Sequence, residues 1–268
     1  MVAQDRKKPK WVVARERSRK GGPETIWLFG LHAVRDALEN PTRRKMRLIV
    51  TKNAADRLAD AIEAAGVEPE IVDARKFAAP LDPQSVHQGA ALEVAPLDWG
   101  TVEELCAPTP GRPFPMVLLL DRVTDPHNVG AILRSAEVFG TSAVIAPRHH
   151  SAPETGALAK SASGALERQP YLRVRNLGDA MQELVAMGYR LIGMDGEAEV
   201  ELDTALEALE PGPIGLVLGA EGPGLRARTK ELCSTHARIS AAGNFGSLNV
   251  SNAAAVGLYA LHKNCEKF

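Results

Sequence analysis

Residues 117–140 read VLLLDRVTDPHNVGAILRSAEVFG. Four apolar residues run without a break from Val117 to Leu120 and end on Asp121. A strand covered on both faces reads this way, because no side of it needs to meet water. Val129, Ile132, Leu133 and Ala136 then recur at helical spacing. Asp125 or Asn128 can cap that helix by accepting a hydrogen bond from a free N–H of its first turn. A fully buried strand feeding directly into an amphipathic helix is the repeating unit of an α/β fold.

The pattern continues downstream. Strands are expected at Ala143–Ala146, Tyr171–Val174, Arg190–Met194, Ile214–Leu218 and Ala237–Ile239. Helices are expected over Pro153–Ser163, ended by Gly164, over Leu177–Met187, ended by Gly188, and over Asn249–His262. Such alternation gives a mostly parallel sheet with helices on both faces, and ligands bind beyond the carboxyl ends of its strands.

Upstream lies a smaller α/β unit that begins near Ile26. Leu31, Val34 and Leu38 mark a helix within Phe29–Glu39. Met46–Thr51, Glu70–Val72 and Ala90–Val94 read as strands, and Ala54–Ala65 as a helix stopped by Gly66. Pro96, Pro108, Pro110, Pro113 and Pro115 then interrupt the pattern, with a short helix around Val102–Leu105. The expected organisation is a basic tail over 1–24, disordered when free, a first unit over 25–95, a proline-rich linker over 96–115 and a second unit over 116–268.

The 268 residues are 45% hydrophobic and 24% charged, ordinary values for a soluble globular protein. No apolar run approaches the ~18 residues of a membrane helix, and the N-terminal run is too short for a secretory signal. A cytoplasmic protein with no membrane partner is expected. Residues 1–22 hold eight basic and two acidic residues, a net +6 that leaves −7 for the rest of a chain of formal charge −1. Such an arm suits sequence-independent attraction to nucleic acid phosphates, and equally suits a solvated tail. The three cysteines lie far apart, without a C-x-x-C pair, and the histidines lack H-E-x-x-H spacing. His149-His150 are neighbours whose side chains diverge, so no metal is expected.

Three loops carry candidate chemistry. In 120–134, Arg134 lies four residues after Gly130 and seven after His127. Helical side chains lean toward the N-terminus, so Arg134 is expected to reach back over Gly130 to the loop that presents Asn128. A guanidinium beside an amide suits an RNA phosphate or ribose, although a helix cap plus a surface arginine also explains the residues. In 215–226, GLVLGAEGPGLR, three glycines follow a strand and allow close backbone approach to a ligand. The spacing is neither G-x-G-x-x-G nor a P-loop. A tight turn explains the glycines and Pro223 but not Glu221. In 243–252, GNFGSLNVSN, small polar residues precede a helix rich in alanine and glycine, a turn whose backbone groups are open to a flat ligand such as adenine. An N-capped core helix is the plainer account of that stretch.

Together and in this order, the segments NVGAILRSA, LGAEGPG and SLNVSN resemble the three motifs of the SpoU (TrmH-like, SPOUT-type) RNA ribose 2′-O-methyltransferases over about 117–262. FGLHAV at 29–34 and VHQG at 86–89 resemble the accessory RNA-binding domain of the RlmB-type branch, which methylates a guanosine of large-subunit ribosomal RNA. The resemblance implies a deep C-terminal trefoil knot, a homodimer, S-adenosylmethionine as methyl donor and ribosomal RNA as partner. It places Leu218, Gly219, Gly224, Ile239 and Leu248 around the cofactor. It places Asn128, Arg134, Glu221, Ser247 and Asn249 on the reacting side. Where RlmB-type chains commonly read Ile-Pro, this chain reads Ile239-Ser240. A transfer-RNA ribose methyltransferase and a non-catalytic RNA-binding member are the alternatives.

Overall fold

The computed structural model describes residues 25–82, 84–243 and 248–265. The basic tail and Ser247 lie outside them. Two compact units divide between Leu97 and Asp98, with Glu154–Lys160 grouped with the first.

The first unit holds β1 (Ile26–Phe29), α1 (Leu31–Glu39), β2 (Lys45–Thr51), α2 (Lys52–Arg57), α3 (Ala59–Ala65), β3 (Pro69–Val72) and β4 (Ala90–Val94). Its sheet order is β1-β4-β2-β3, antiparallel except where β2 pairs with β3. Leu28, Val34, Leu38, Leu48, Leu58 and Leu92 form its core. The helix expected over Ala54–Ala65 is broken at Leu58, whose φ of −109° and ψ of 7° leave the helical region. The Arg57 carbonyl at the break accepts from the guanidinium of Arg35. Gly66 ends α3 in the left-handed conformation, as its lack of Cβ permits.

The second unit runs α4 (Val102–Cys106), β5 (Met116–Asp121), α5 (Pro126–Val138), β6 (Ala143–Pro147), α6 (Gly156–Ala162), β7 (Tyr171–Val174), α7 (Leu177–Ala186), β8 (Arg190–Met194), α8 (Leu202–Glu207), β9 (Ile214–Gly219), α9 (Ala227–Glu231), β10 (Thr235–Ala237) and α10 (Val250–Cys265). Most of α6 is grouped with the first unit. The six strands are ordered β10-β8-β9-β5-β6-β7, and every pairing is parallel. All residues of β5 are buried, as the apolar run requires. Each such side chain contributes about 1.5–3 kcal/mol on leaving water. Gly257 lets α10 lie directly on β9, since a Cβ there would stand 2.5 Å from the Leu216 side chain. Val102 and Cys106, from the proline-rich stretch, belong to this core. The last strand falls two residues before the expected Ala237–Ile239, where Thr235–Ala237 pairs with Ile192–Met194.

Candidate active site

Parallel pairing places the carboxyl ends of β5 and β9 side by side, with Asp121 opposite Gly219. The loops that leave these two strands therefore start as neighbours. After β5, Asp125 caps α5 by accepting from the N–H of His127 at 2.9 Å, and Pro126 occupies the first turn. With Asp125 as the cap, the Asn128 amide is left for other partners.

After β9 the chain turns back on itself. The Gly224 N–H donates to the Ala220 carbonyl at 3.0 Å, and Gly222 and Gly224 have φ of 82° and 67°. A Cβ on Gly219 would stand 2.1 Å from the Gly224 carbonyl carbon. The space that Gly219 leaves is thus filled by its own loop. This tight turn holds Glu221 outward.

Three loops meet at that carboxylate. Asn128 Nδ2 donates to Glu221 Oε1 at 3.1 Å. Asn249 Nδ2 donates to the same oxygen at 2.7 Å and to Asn128 Oδ1 at 3.1 Å. Asn249 Oδ1 accepts from the backbone N–H and the hydroxyl of Ser251, at 2.9 and 2.6 Å, at the start of α10. Each amide is fixed in orientation, and Glu221 Oε2 is left as a free acceptor among the described residues.

Arg134 makes no hydrogen bond to this cluster. The expected reach over Gly130 to the Asn128 loop is not seen. Gly130 lies on the buried side of α5 with Val129 and Leu133, while Arg134 is exposed. The guanidinium has no hydrogen bond or ion pair to a described residue.

The arrangement rests on a brace that sequence reasoning did not identify. Asp121, fully buried, accepts from the Arg226 N–H at 3.1 Å, from Arg226 Nε at 2.7 Å and from the Thr229 hydroxyl at 2.7 Å. A carboxylate in a dry interior needs such partners, and these tie the far end of the Glu221 loop to β5. The signal was an acid closing an otherwise apolar strand. His127, beside Asn128, pairs through Nδ1 with the Ser161 hydroxyl at 2.8 Å, a contact that spacing could not give.

Beyond β10 a groove of about 200 Å³ is lined by Leu202, Asp203, Ile239, Ser240, Val256 and Ala260. Its walls are small and largely apolar, with one carboxylate. The N–H and C=O of Ile239 make no hydrogen bond to a described residue. Free backbone donors and acceptors beside an apolar slot suit a flat heteroaromatic ring. Leu218 is buried at the end of β9, while Gly224 and Leu248 are exposed.

Thiolate chemistry is disfavoured. Burial pushes Cys106 up to about 12 and Cys233 up to about 11. No group of three or more candidate metal ligands occurs among the described residues, and no described helix is long and apolar enough to cross a membrane.

Residues 115–259 match the model of the SpoU rRNA Methylase family, and residues 27–99 match that described as RNA 2′-O ribose methyltransferase substrate binding. The 23S rRNA (guanosine-2′-O-)-methyltransferase RlmB of Ralstonia nicotianae is 40% identical over 237 residues, which is 87% of this chain and 93% of that protein. The enzyme of the same name from Yersinia pestis is 38% identical over 239 residues, with 87% and 94% covered. The SpoU methyltransferase AviRb of Streptomyces viridochromogenes, solved with its cofactor AdoMet, shares the fold at a TM-score of 0.75 and 23% identity, covering 95% of this chain and 96% of its own. An AdoMet-bound rRNA methyltransferase from Sinorhizobium meliloti does so at 0.77 and 20%, covering 96% and 93%.

Proposed function

We propose that this chain, which belongs to the SpoU rRNA methylase family, transfers a methyl group from S-adenosylmethionine to the ribose 2′-hydroxyl of a guanosine in 23S ribosomal RNA. The observation that carries this reading is the convergence of Asn128, Glu221 and Asn249 from three loops onto one oxygen. The curated relatives of that name, similar along most of both chains, supply the substrate.

When bound, the cofactor supplies a methyl already activated on a sulfonium. The backbone of Ile239, with Gly219 and Leu248, would hold it, and Leu218 and Gly224 fix the turn between them. What the protein must add is alignment and the handling of one proton. Alignment of reacting groups contributes on the order of 7–11 kcal/mol. Asn128 and Asn249, locked by Glu221, present oriented amides to a ribose. Glu221 Oε2 is the free acceptor of the cluster for the hydroxyl proton. Arg134 offers a planar guanidinium with five N–H donors and no acceptor. Its part is therefore that of a cation, opposing the charge that develops on the 2′-oxygen and gripping an adjacent phosphate. Ser247, outside the described residues, belongs to the same reacting side in this reading.

The first unit serves as a second RNA-binding body, in keeping with the family match of residues 27–99. The reading includes a homodimer in the cytoplasm. Val138 on α5 and Val256 and Tyr259 on α10 are exposed apolar side chains on two helices that pack together, a face a second copy would cover. It also includes the family's deep trefoil knot, whose segment 244–247 lies outside the described residues.

The test is a map of ribose methylation on 23S rRNA treated with the wild-type protein and with Arg134→Ala. The expected result is one new 2′-O-methylguanosine with wild type, and loss of turnover in the variant with S-adenosylmethionine binding retained. Methylation confined to transfer RNA, or no methylation despite cofactor binding, would sink the reading in favour of its alternatives.

A further inference from the structure

The all-parallel sheet gathers its strand ends. β9, β5, β6 and β7 are neighbours in that order, so the loops leaving them line one edge. Each of the last three opens with an exposed arginine: Arg122 after β5, Arg148 after β6 and Arg175, one residue beyond β7. None has an acid partner among the described residues. Carboxylates in these loops are few and committed. Asp125 caps α5, Glu154 is ion-paired with Arg43, and Glu221 holds two amides. The concentration is notable in a chain that carries −7 outside residues 1–22.

Two further observations mark this edge. Arg122 has φ of 65°, in the left-handed region that a bulky side chain seldom adopts. That strain sits at the end of the central strand, beside the loop that carries Asn128. Arg173, inside β7, donates from Nη2 to the Arg148 carbonyl at 2.5 Å, which fixes the β6 and β7 ends to each other and adds another cation. Neighbouring strands lie about 4.8 Å apart, so the row from β9 to β7 spans about 14 Å. The arginine-bearing part of that row, β5 to β7, covers two of those spacings, about 10 Å.

We infer that Arg122, Arg148 and Arg175 form a phosphodiester track on the catalytic unit, along which the RNA backbone flanking the target nucleotide is held. The inference rests on RNA being the substrate and adds a binding surface separate from the first unit. The track begins beside the Asn128–Glu221–Asn249 cluster and runs away from it along β6 and β7. It reads no base. It sets the register in which a ribose meets the cluster.

The experiment measures binding of an in vitro transcribed 23S rRNA fragment by the full-length protein over a range of salt concentrations. The double variant Arg148→Gln/Arg175→Gln is compared with wild type and with Arg112→Gln, an exposed arginine that precedes β5 at the opposite edge. The tail 1–24 is present in all three and cancels from the comparison. Removing two phosphate contacts should lower the slope of log K against log salt by about 1.4, at ~0.7 per single-stranded contact. KM for RNA should rise about tenfold with kcat at saturation unchanged. Arg148→Lys/Arg175→Lys should restore the slope, since a lysine keeps the charge. An unchanged slope in the double variant, or an equal loss in Arg112→Gln, overturns the track. A wild-type protein that binds with a steep slope and transfers no methyl overturns the proposed activity instead, and the slopes still decide the track.

Discussion

Two turns in this chain both end on a left-handed glycine and behave oppositely. Val86–Gly89 leads into β4 of the first unit, and Gly219–Gly224 follows β9 of the second. Both contain left-handed residues: Gln88 and Gly89 at φ of 53° and 79°, Gly222 and Gly224 at 82° and 67°. In the first turn the polar groups point inward. Gln88 Oε1 accepts from the Leu31 N–H at 3.2 Å and so caps α1, where Gly30 has no side chain to do it. The Gly89 carbonyl accepts from the Thr51 N–H at 2.8 Å, and its own N–H donates to His87 Nδ1 at 3.1 Å. In the second turn the backbone closes on itself, and the one ionisable side chain, Glu221, faces two other loops. Glycines report what the backbone must do. Function is read from the polar group that a turn leaves over.

The strongest way to break the comparison is to give each turn a methyl group. Gly219→Ala places a Cβ where the Gly224 backbone already stands, so the turn must open and Glu221 must move. Methyl transfer is expected to fall below detection, with a stability loss of about 1–3 kcal/mol from overpacking. Gly89→Ala also meets an obstacle, Thr51 Oγ1 at 2.4 Å, and a φ of 79°. It should cost comparable stability by thermal denaturation, yet leave S-adenosylmethionine affinity unchanged. Equal losses of cofactor affinity in the two variants would remove the distinction.

Glu221→Gln sharpens the same contrast without touching the backbone. The substitution keeps the shape and removes the acceptor Oε2, so kcat is expected to fall about 10²–10⁴-fold. Thermal stability should move by less than about 0.5 kcal/mol, as for other exposed substitutions. A full kcat with Gln at 221 would reduce Glu221 to an anchor for the two amides.

How far the sequence reaches is visible in these residues. The buried strand at 117–121 and the helices after it announce themselves by apolar spacing, because burial on both faces leaves no other composition possible. The six residues of α8 escaped notice. Leu202, Ala205 and Leu206 have helical spacing, but one turn and a half is too short for periodicity to stand out, and its stability comes from packing. The Asn128–Asn249 contact spans 121 residues. Only the parallel pairing of β5 with β9 brings the Asn128 and Glu221 loops side by side, and nothing local encodes that. Arg134 shows the reverse error. Helical spacing put Arg134 and Gly130 on one face, whereas Gly130 is buried and Arg134 exposed.

The inward turn has its own, smaller test. Gln88→Ala removes the acceptor for the Leu31 N–H at the start of α1. Loss of such a cap costs about 1 kcal/mol, which lowers the melting temperature of a unit this size by about 4–8 °C. Cofactor affinity should not change. An unaltered melting temperature would mean that water replaces the Gln88 carbonyl at no cost.

The smallest effect separates the turns by pH. Burial holds His87 below the ordinary histidine value, and its ring is stacked on Phe77 at 4.1 Å. A histidine with a lowered folded-state pKa favours the neutral form when folded. Its contribution to stability is present above the unfolded value of about 6.5 and is lost as the pH falls through the lower, folded value, because the unfolded chain binds the extra proton first. The first unit should therefore melt earlier as the pH is taken from 7 toward 5, and His87→Gln should flatten that dependence. An NMR titration in which the His87 ring protonates at or above 6.5 would leave the acid sensitivity of this turn without a cause. Glu221, on the outward turn, contributes no matching histidine term, so a loss confined to the first unit is what this test distinguishes.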